Sequence, residues 1–208
     1  MSLKANRIIT ALVMLMAGMS SCQDWFDVSP KADVKAEDMF EAESGFRDIL
    51  TGVYGLMIHE NLYGRQLTFG YTDVLAQYYA IPDETHEFAQ LAKYQYKDVN
   101  ISPKIDEMWL ELYFCIANCN ILLERLEEVG PDFFEDERTY YILHGEARAL
   151  RAFFHFDLLR LFAPSYKADP GYTAIPYITK YSNKVSPQKT VSEVIDSVIV
   201  DLKAAVTD

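Results

Sequence analysis

Cysteine is scarce in this chain, with three residues in 208, which excludes a small fold held together by a disulfide framework. Basic residues are also outnumbered: 19 Lys and Arg face 31 Asp and Glu, for a formal net charge of −12. A surface this acidic is repelled by phosphate backbones and anionic headgroups, so nucleic-acid binding is not expected. Glycine-rich loops of the phosphate-cradling kind and a Ser/His/Asp nucleophile order are lacking as well. The one extended apolar run, Ile8 to Met19, is too short to span a bilayer comfortably. What is present is apolar bulk. Hydrophobic residues make up 50% of the chain, ample for a single buried core and too many for a mainly disordered polymer.

The N-terminus has the layout of an export signal over residues 1–21. Lys4 and Arg7 form a basic segment, Ile8 to Met19 the apolar segment, and Ser20-Ser21 a small-residue cleavage neighbourhood. Loss of the two basic residues leaves the remainder two charges more negative. Cys22 follows directly, and small residues before a cysteine resemble a bacterial lipobox, at which signal peptidase II cuts and the thiol is acylated, although Met19 stands where leucine is usual. An ordinary secretory signal with an incidental cysteine is the alternative. Lipidation at Cys22, by palmitate or similar chains, would hold the body at a membrane, since each buried methylene contributes about 0.8 kcal/mol. Residues 22–43, charged and broken by Pro30, suit a tether that ends in a short helix near Met39.

From residue 44 the pattern is helical. Phe46, Leu50, Val53 and Met57 share one face of a helix that should stop near Asn61 to Gly64. A helix is expected around Thr72 to Ala80, then a break at Pro82 and an irregular stretch. Ser102-Pro103 reads as a helix start, with the serine as cap. Ile105, Met108, Leu112, Cys115, Cys119, Leu122, Leu126 and Val129 then mark a long apolar stripe, widened by Trp109, Ile116 and Leu123 and ended by Gly130-Pro131. Asp136 to Phe162 form another helix with the stripe Leu143, Ala147, Leu150, Phe154, Leu158 and Leu161, flanked by Phe153, Phe156 and Leu159; so broad an apolar surface should lie between neighbours. Residues 163–189 lack a helical period and read as a long surface connection. Thr190 and Glu193 fit a capping box, followed by Val191, Ile195, Val198, Leu202 and Ala205 at helical spacing. This last stripe has no evident partner after it, so the chain is expected to be the front part of something longer.

In this order, several segments resemble the SusD/RagB family of outer-membrane nutrient-binding lipoproteins. They are the lipobox with CQDWFDVSPK, ESGFRDILTGVYGLM, WLELYFCIANCNILLERL with Trp109, Tyr113, Asn118 and Asn120, GEARALRAFFHFDLLRLFA, AIPYIT and TVSEVIDSVIVDLKAAV. Ala163 stands where the family often has glycine. The resemblance implies an all-α fold of tetratricopeptide-like helical hairpins with long irregular loops, incomplete here because family members are typically more than twice as long. It also implies a cell-surface lipoprotein, anchored in the outer membrane and facing the exterior, that binds a glycan or other nutrient and delivers it to a SusC-type TonB-dependent transporter. No catalysis, cofactor or metal is expected. A helical-repeat scaffold making only protein contacts is the alternative.

Cys115 and Cys119, one turn apart within the apolar stripe, read as buried free thiols. Glu146, Arg148, Arg151, Asp157 and Arg160 read as structural ion pairs on one long helix, Asp157 and Arg160 being three residues apart. Asp83, Glu84, Glu87 and His86 cluster after Pro82, but an acidic loop in an acidic chain is not evidence of a glycosidase. The candidate ligand residues lie in an aromatic-rich segment: Asp73, Gln77, Tyr78, Tyr79, Tyr94 and Tyr96, accompanied by Phe69, Tyr71 and Phe88. Sugar rings present apolar C–H faces and polar edges, which suit flat rings beside amide and carboxylate groups. Packing of the same rings into a core is the competing reading.

Overall fold

A computed structural model describes residues 38–207, so the signal, Cys22 and nearly all of the tether lie outside the described residues. The account below concerns the compact unit that begins at Phe40. Six α-helices occur among the described residues: α1 (Glu43–Met57), α2 (Tyr71–Leu75), α3 (Ala89–Ala92), α4 (Ser102–Val129), α5 (Glu137–Phe162) and α6 (Val191–Thr207). The described residues contain no β-strand; Thr173 and Thr190 form an isolated antiparallel bridge. The fold is all-α.

The apolar stripes explain the packing. On α1, Phe46, Leu50 and Val53 are buried, and the Phe46 ring meets Phe40, Phe133 and Phe134 with centroids 5.1, 5.5 and 5.3 Å away. On α4, Met108, Leu112, Cys115, Cys119, Leu122 and Leu126 are buried together with Ile116 and Leu123. Gly130 ends this helix with a φ of 72°, a left-handed value that glycine takes without steric cost, and Pro131 opens a 3₁₀ turn. Asp136 then caps α5 by accepting the Arg138 N–H at 3.0 Å. So short a link makes α4 and α5 a helical hairpin.

Helix α6 runs antiparallel to α5, since Gly145 faces Ala205 while Arg151 pairs with Asp201. A Cβ on Gly145 would fall 2.8 Å from the Ala205 carbonyl oxygen, so glycine permits the close approach of the two backbones. The capping box forms: the Thr190 N–H donates to Glu193 at 2.8 Å and the Glu193 N–H donates to Thr190 Oγ1 at 3.3 Å.

Four details differ from the sequence expectations. Ser102 is the first residue of α4 rather than its cap; that position falls to Ile101, whose backbone is already helical after a turn begun at Asp98. The helix expected around Thr72 to Ala80 stops at Leu75, because Gln77 turns left-handed with φ 60°. On α5, Phe153 and Phe156 remain about two-fifths exposed, so that helix is covered on less of its circumference than its composition suggests. On α6 the buried set is Val191, Val194, Val198 and Asp201, whereas Leu202 is 44% exposed. A carboxylate thus occupies a core position that the apolar stripe assigned to its neighbour.

Candidate functional site

Asp201 is buried because Arg151 meets it there. The guanidinium donates Nε to Oδ2 at 2.8 Å and Nη2 to Oδ1 at 2.7 Å, a bidentate pair in which both residues are under a tenth exposed. Burial works against the charge on each partner. Hydrogen bonds from Arg151 and Tyr177 outweigh it at Asp201, whose carboxyl is held below its ordinary value. Those from Arg151 to Asp201 outweigh it at Arg151, whose pKa is raised. Tyr177 donates to Asp201 at 2.6 Å and stacks on His155 with centroids 3.9 Å apart.

Around this pair lies the segment AIPYIT, residues 174–179, which crosses the helices with Ala174, Ile175 and Tyr177 buried. The connection expected to run over the surface is therefore buried in this part, and a buried irregular segment needs partners for its backbone, which the Lys189 backbone and several side chains supply. Tyr113 donates to the Pro176 carbonyl at 2.8 Å and Asn120 to that of Ile178 at 3.1 Å. Arg151 donates to the Asn120 side-chain oxygen at 3.0 Å, and His155 Nε2 accepts the Ile178 N–H at 3.0 Å. His155 Nδ1 lies 2.8 Å from the Arg151 carbonyl, so the ring is a neutral Nδ1–H tautomer with both nitrogens used. Burial depresses its pKa to about 4. The network is architecture: each polar group faces another protein group.

The other singled-out groups are also structural. Cys115 and Cys119 are free and buried, and burial pushes each thiol up to about 12, far from reactive. Arg160 lies 3.1 Å from Asp157, which also accepts from the Tyr63 hydroxyl at 2.8 Å. In the acidic loop, Asp83 accepts both the N–H and the hydroxyl of Thr85, Glu84 pairs with Lys93, and Glu87 lies 3.5 Å from Arg65 and 3.4 Å from Lys104. Among the described residues no group of three or more His, Cys, Asp or Glu is arranged to hold a metal.

The aromatic segment is built on two very short helices. Helices α2 and α3 rest on a small second core of Tyr71, Val74, Leu91, Ile101 and Met108. Each is followed by a non-glycine residue in the left-handed region, Gln77 at φ 60° and Tyr94 at φ 58°. Gln77 donates its amide to the carbonyls of Val74 and Ala92, at 3.2 and 3.0 Å, and Tyr94 donates its hydroxyl to that of Leu75 at 3.2 Å. Their polar atoms therefore hold α2 against α3. Tyr79 donates to Asp73 at 3.2 Å. The flat faces remain available: Tyr78 is 77% exposed, and Tyr79, Tyr94 and Tyr96 are close to half exposed. Tyr94 and Tyr96 lie together, with centroids 6.3 Å apart and planes inclined by 59°. Beside Tyr79, the loop from Ala80 to Phe88 borders an open depression of about 310 Å³.

The segment thus divides between the two readings of its rings. Tyr71 belongs to the core, Phe88 is half-buried against it at 5.5 Å, and four candidate tyrosines face outward. Asp201 and Arg151 were missed as a pair because they are 50 residues apart and no periodicity links them. A second unanticipated feature is an open groove of about 800 Å³ along α5 and α6, in which Tyr141, Ile142, Leu202 and Val206 are bordered by the charged Asp136, Glu137, Arg138 and Glu146. Among the described residues no helix is long and apolar enough to cross a membrane.

Comparison with known proteins places this geometry. A SusD-like family model, described as starch-binding and associating with the outer membrane, matches residues 24–207. SusD-like protein P25 of Formosa agariphila is 25% identical over 165 residues, which are 76% of this chain and 31% of that protein. SusD-like protein P38 of the same organism is 24% identical over 204 residues, 96% of this chain and 37% of that protein. Among solved structures, a putative sugar-binding protein from Bacteroides vulgatus superposes with a TM-score of 0.65 at 25% identity, over 80% of this chain and 37% of that one. A SusD superfamily protein from Bacteroides thetaiotaomicron gives 0.64 at 20% identity, with the same coverage. The chain spans about a third of the length of these relatives. With the family match extending over nearly its whole length, the chain belongs to the SusD-like family.

Proposed function

We propose that this chain is the N-terminal part of a lipid-anchored protein on the outer face of the outer membrane, which captures a glycan without transforming it and passes it to a SusC-type TonB-dependent transporter. Family membership across residues 24–207 carries this reading, since the family is described as starch-binding and associating with the outer membrane. The anchor is the acylated thiol of Cys22, and the stretch between it and Phe40, where the compact unit begins, forms the tether.

The ligand face is the aromatic segment. Tyr78, Tyr79, Tyr94 and Tyr96 offer rings for the C–H faces of sugars, while the Asp73 carboxylate and the side-chain oxygen of Gln77, whose N–H groups are spent on Val74 and Ala92, lie among them as acceptors for hydroxyl edges. Tyr79 and Tyr94, whose hydroxyls are already bonded to Asp73 and Leu75, lose less side-chain freedom on binding than unheld rings would, the general advantage of a preorganised site. Transfer to a transporter needs reversible capture, and stacking supplies moderate affinity.

Electrophoresis through native gels cast with single polysaccharides tests this reading. Retardation by at least one polysaccharide, together with globomycin-sensitive processing and palmitate labelling lost in Cys22→Ala, is the expected result. Co-purification with a large β-barrel, without retardation by any glycan, would favour the scaffold reading. Release of reducing sugar would contradict the absence of catalysis.

A further inference from the structure

The aromatic face continues inward at one ring. Tyr96 is 49% exposed and its centroid lies 6.3 Å from that of Tyr94, yet it also lines a cavity of about 220 Å³ between the small second core and the long helices. Leu75, Leu91, Ile105, Met108 and Phe162 make up most of the remaining wall. Face and cavity thus share a ring, so a ligand spread over Tyr94 and Tyr96 lies at the cavity's edge.

The walls decide which part of a ligand can enter. No charged or amide side chain lines the space, and the lining residues carry no side-chain oxygen or nitrogen beyond the hydroxyls of Tyr71 and Tyr96. A sugar ring bears a hydroxyl on most of its carbons, and moving it inside would strip those groups of water with few partners to replace it. An apolar group has no such penalty and gains from leaving water. Size sets the second limit: an apolar cavity of roughly 150 Å³ accommodates a benzene ring, so this space takes a group of that order and excludes a fatty chain or a disaccharide. We propose that the cavity receives an apolar substituent, up to a phenyl ring in size, carried by the glycan whose sugar rings lie on Tyr94 and Tyr96. This inference rests on the glycan face proposed above and narrows its ligand to glycans bearing small ester, ether or aryl groups.

NMR titration of methyl-labelled protein with the phenyl and methyl β-glycosides of glucose, galactose, mannose and xylose, beside a panel of unsubstituted oligosaccharides, tests the proposal. For at least one sugar the phenyl glycoside should bind at least about tenfold more tightly than the methyl glycoside, the gain expected from burying an aromatic ring. Intermolecular NOEs should run from the phenyl protons to the methyl groups of Leu75, Leu91, Ile105 and Met108, a readout that needs no variant. Leu75→Phe and Ile105→Phe place a ring of the protein's own in the space from half-buried positions. In either variant, with helical circular dichroism retained, the phenyl advantage should vanish while oligosaccharide binding stays. Oligosaccharide binding without a phenyl advantage, or a phenyl advantage without those NOEs, overturns the cavity site and leaves glycan capture standing. Failure of every glycoside and oligosaccharide to bind overturns both.

Discussion

Gln77 and Tyr94 cap one another's helices. The Gln77 amide donates to Ala92, the last residue of α3, and the Tyr94 hydroxyl donates to Leu75, the last residue of α2. Helices this short leave most of their terminal carbonyls without internal partners, and neither would persist alone. The two left-handed residues thus turn a pair of isolated turns into one unit that displays Tyr78, Tyr79 and Tyr96.

A double-mutant cycle should detect this relationship. Gln77→Ala loses two hydrogen bonds while keeping the strained backbone, and should cost about 1–2 kcal/mol; Tyr94→Phe should cost about 1 kcal/mol. Because both act on the same contact, the double variant should be destabilised by less than the sum. Hydrogen exchange across residues 71–96 should rise in either single variant while the amides of α4 stay protected.

The Arg151–Asp201 pair predicts a sharper effect. Arg151→Met or Asp201→Leu leaves one buried charge unpaired and should cost about 3–5 kcal/mol in urea unfolding. The double variant should recover only part of that loss: an apolar pair of similar volume avoids the desolvation of both ions, but it leaves the buried Tyr177 hydroxyl and Asn120 side-chain oxygen without their partners.

Acid should weaken the fold through His155. Its folded pKa of about 4 lies below its ordinary 6.5, so between these values the unfolded chain binds a proton that the folded one refuses. The stabilisation is complete above about pH 6.5 and is lost progressively as pH falls towards 4, by up to about 1.4 kcal/mol per pH unit. Asp201, held below its ordinary value, adds a loss in a lower window, beneath about pH 4. His155→Gln should flatten the upper part of the stability profile measured by urea unfolding from pH 7 to pH 4.

How much of this was legible in the sequence follows from the range of each interaction. Helices α1, α4, α5 and α6 are amphipathic over three or more turns, so periodicity, the Gly130-Pro131 stop and the Thr190–Glu193 box located them. Helices α2 and α3 are too short for periodicity, and their ends are set by contacts between Gln77 and Ala92 or Tyr94 and Leu75, which no local pattern records. Leu202 looked like core by spacing, yet Asp201 took the position because its partner lies 50 residues away. In the candidate site the residue types were readable, but which tyrosines face outward was a tertiary outcome: Tyr71 is buried and Tyr78 is not.

Exposure separates binding from stability at those tyrosines. Tyr78→Ala removes a ring that is 77% exposed and should change stability by less than about 0.5 kcal/mol. Each stacked ring is worth about 1 kcal/mol, so the same change should weaken glycan binding roughly fivefold.

Isothermal titration calorimetry of the protein against a panel of oligosaccharides tests glycan capture most directly. Saturable heat with at least one of them, reduced in Tyr78→Ala and Tyr96→Ala at unchanged melting temperature, is the predicted result. Silence across the panel, or binding indifferent to both substitutions, would contradict it.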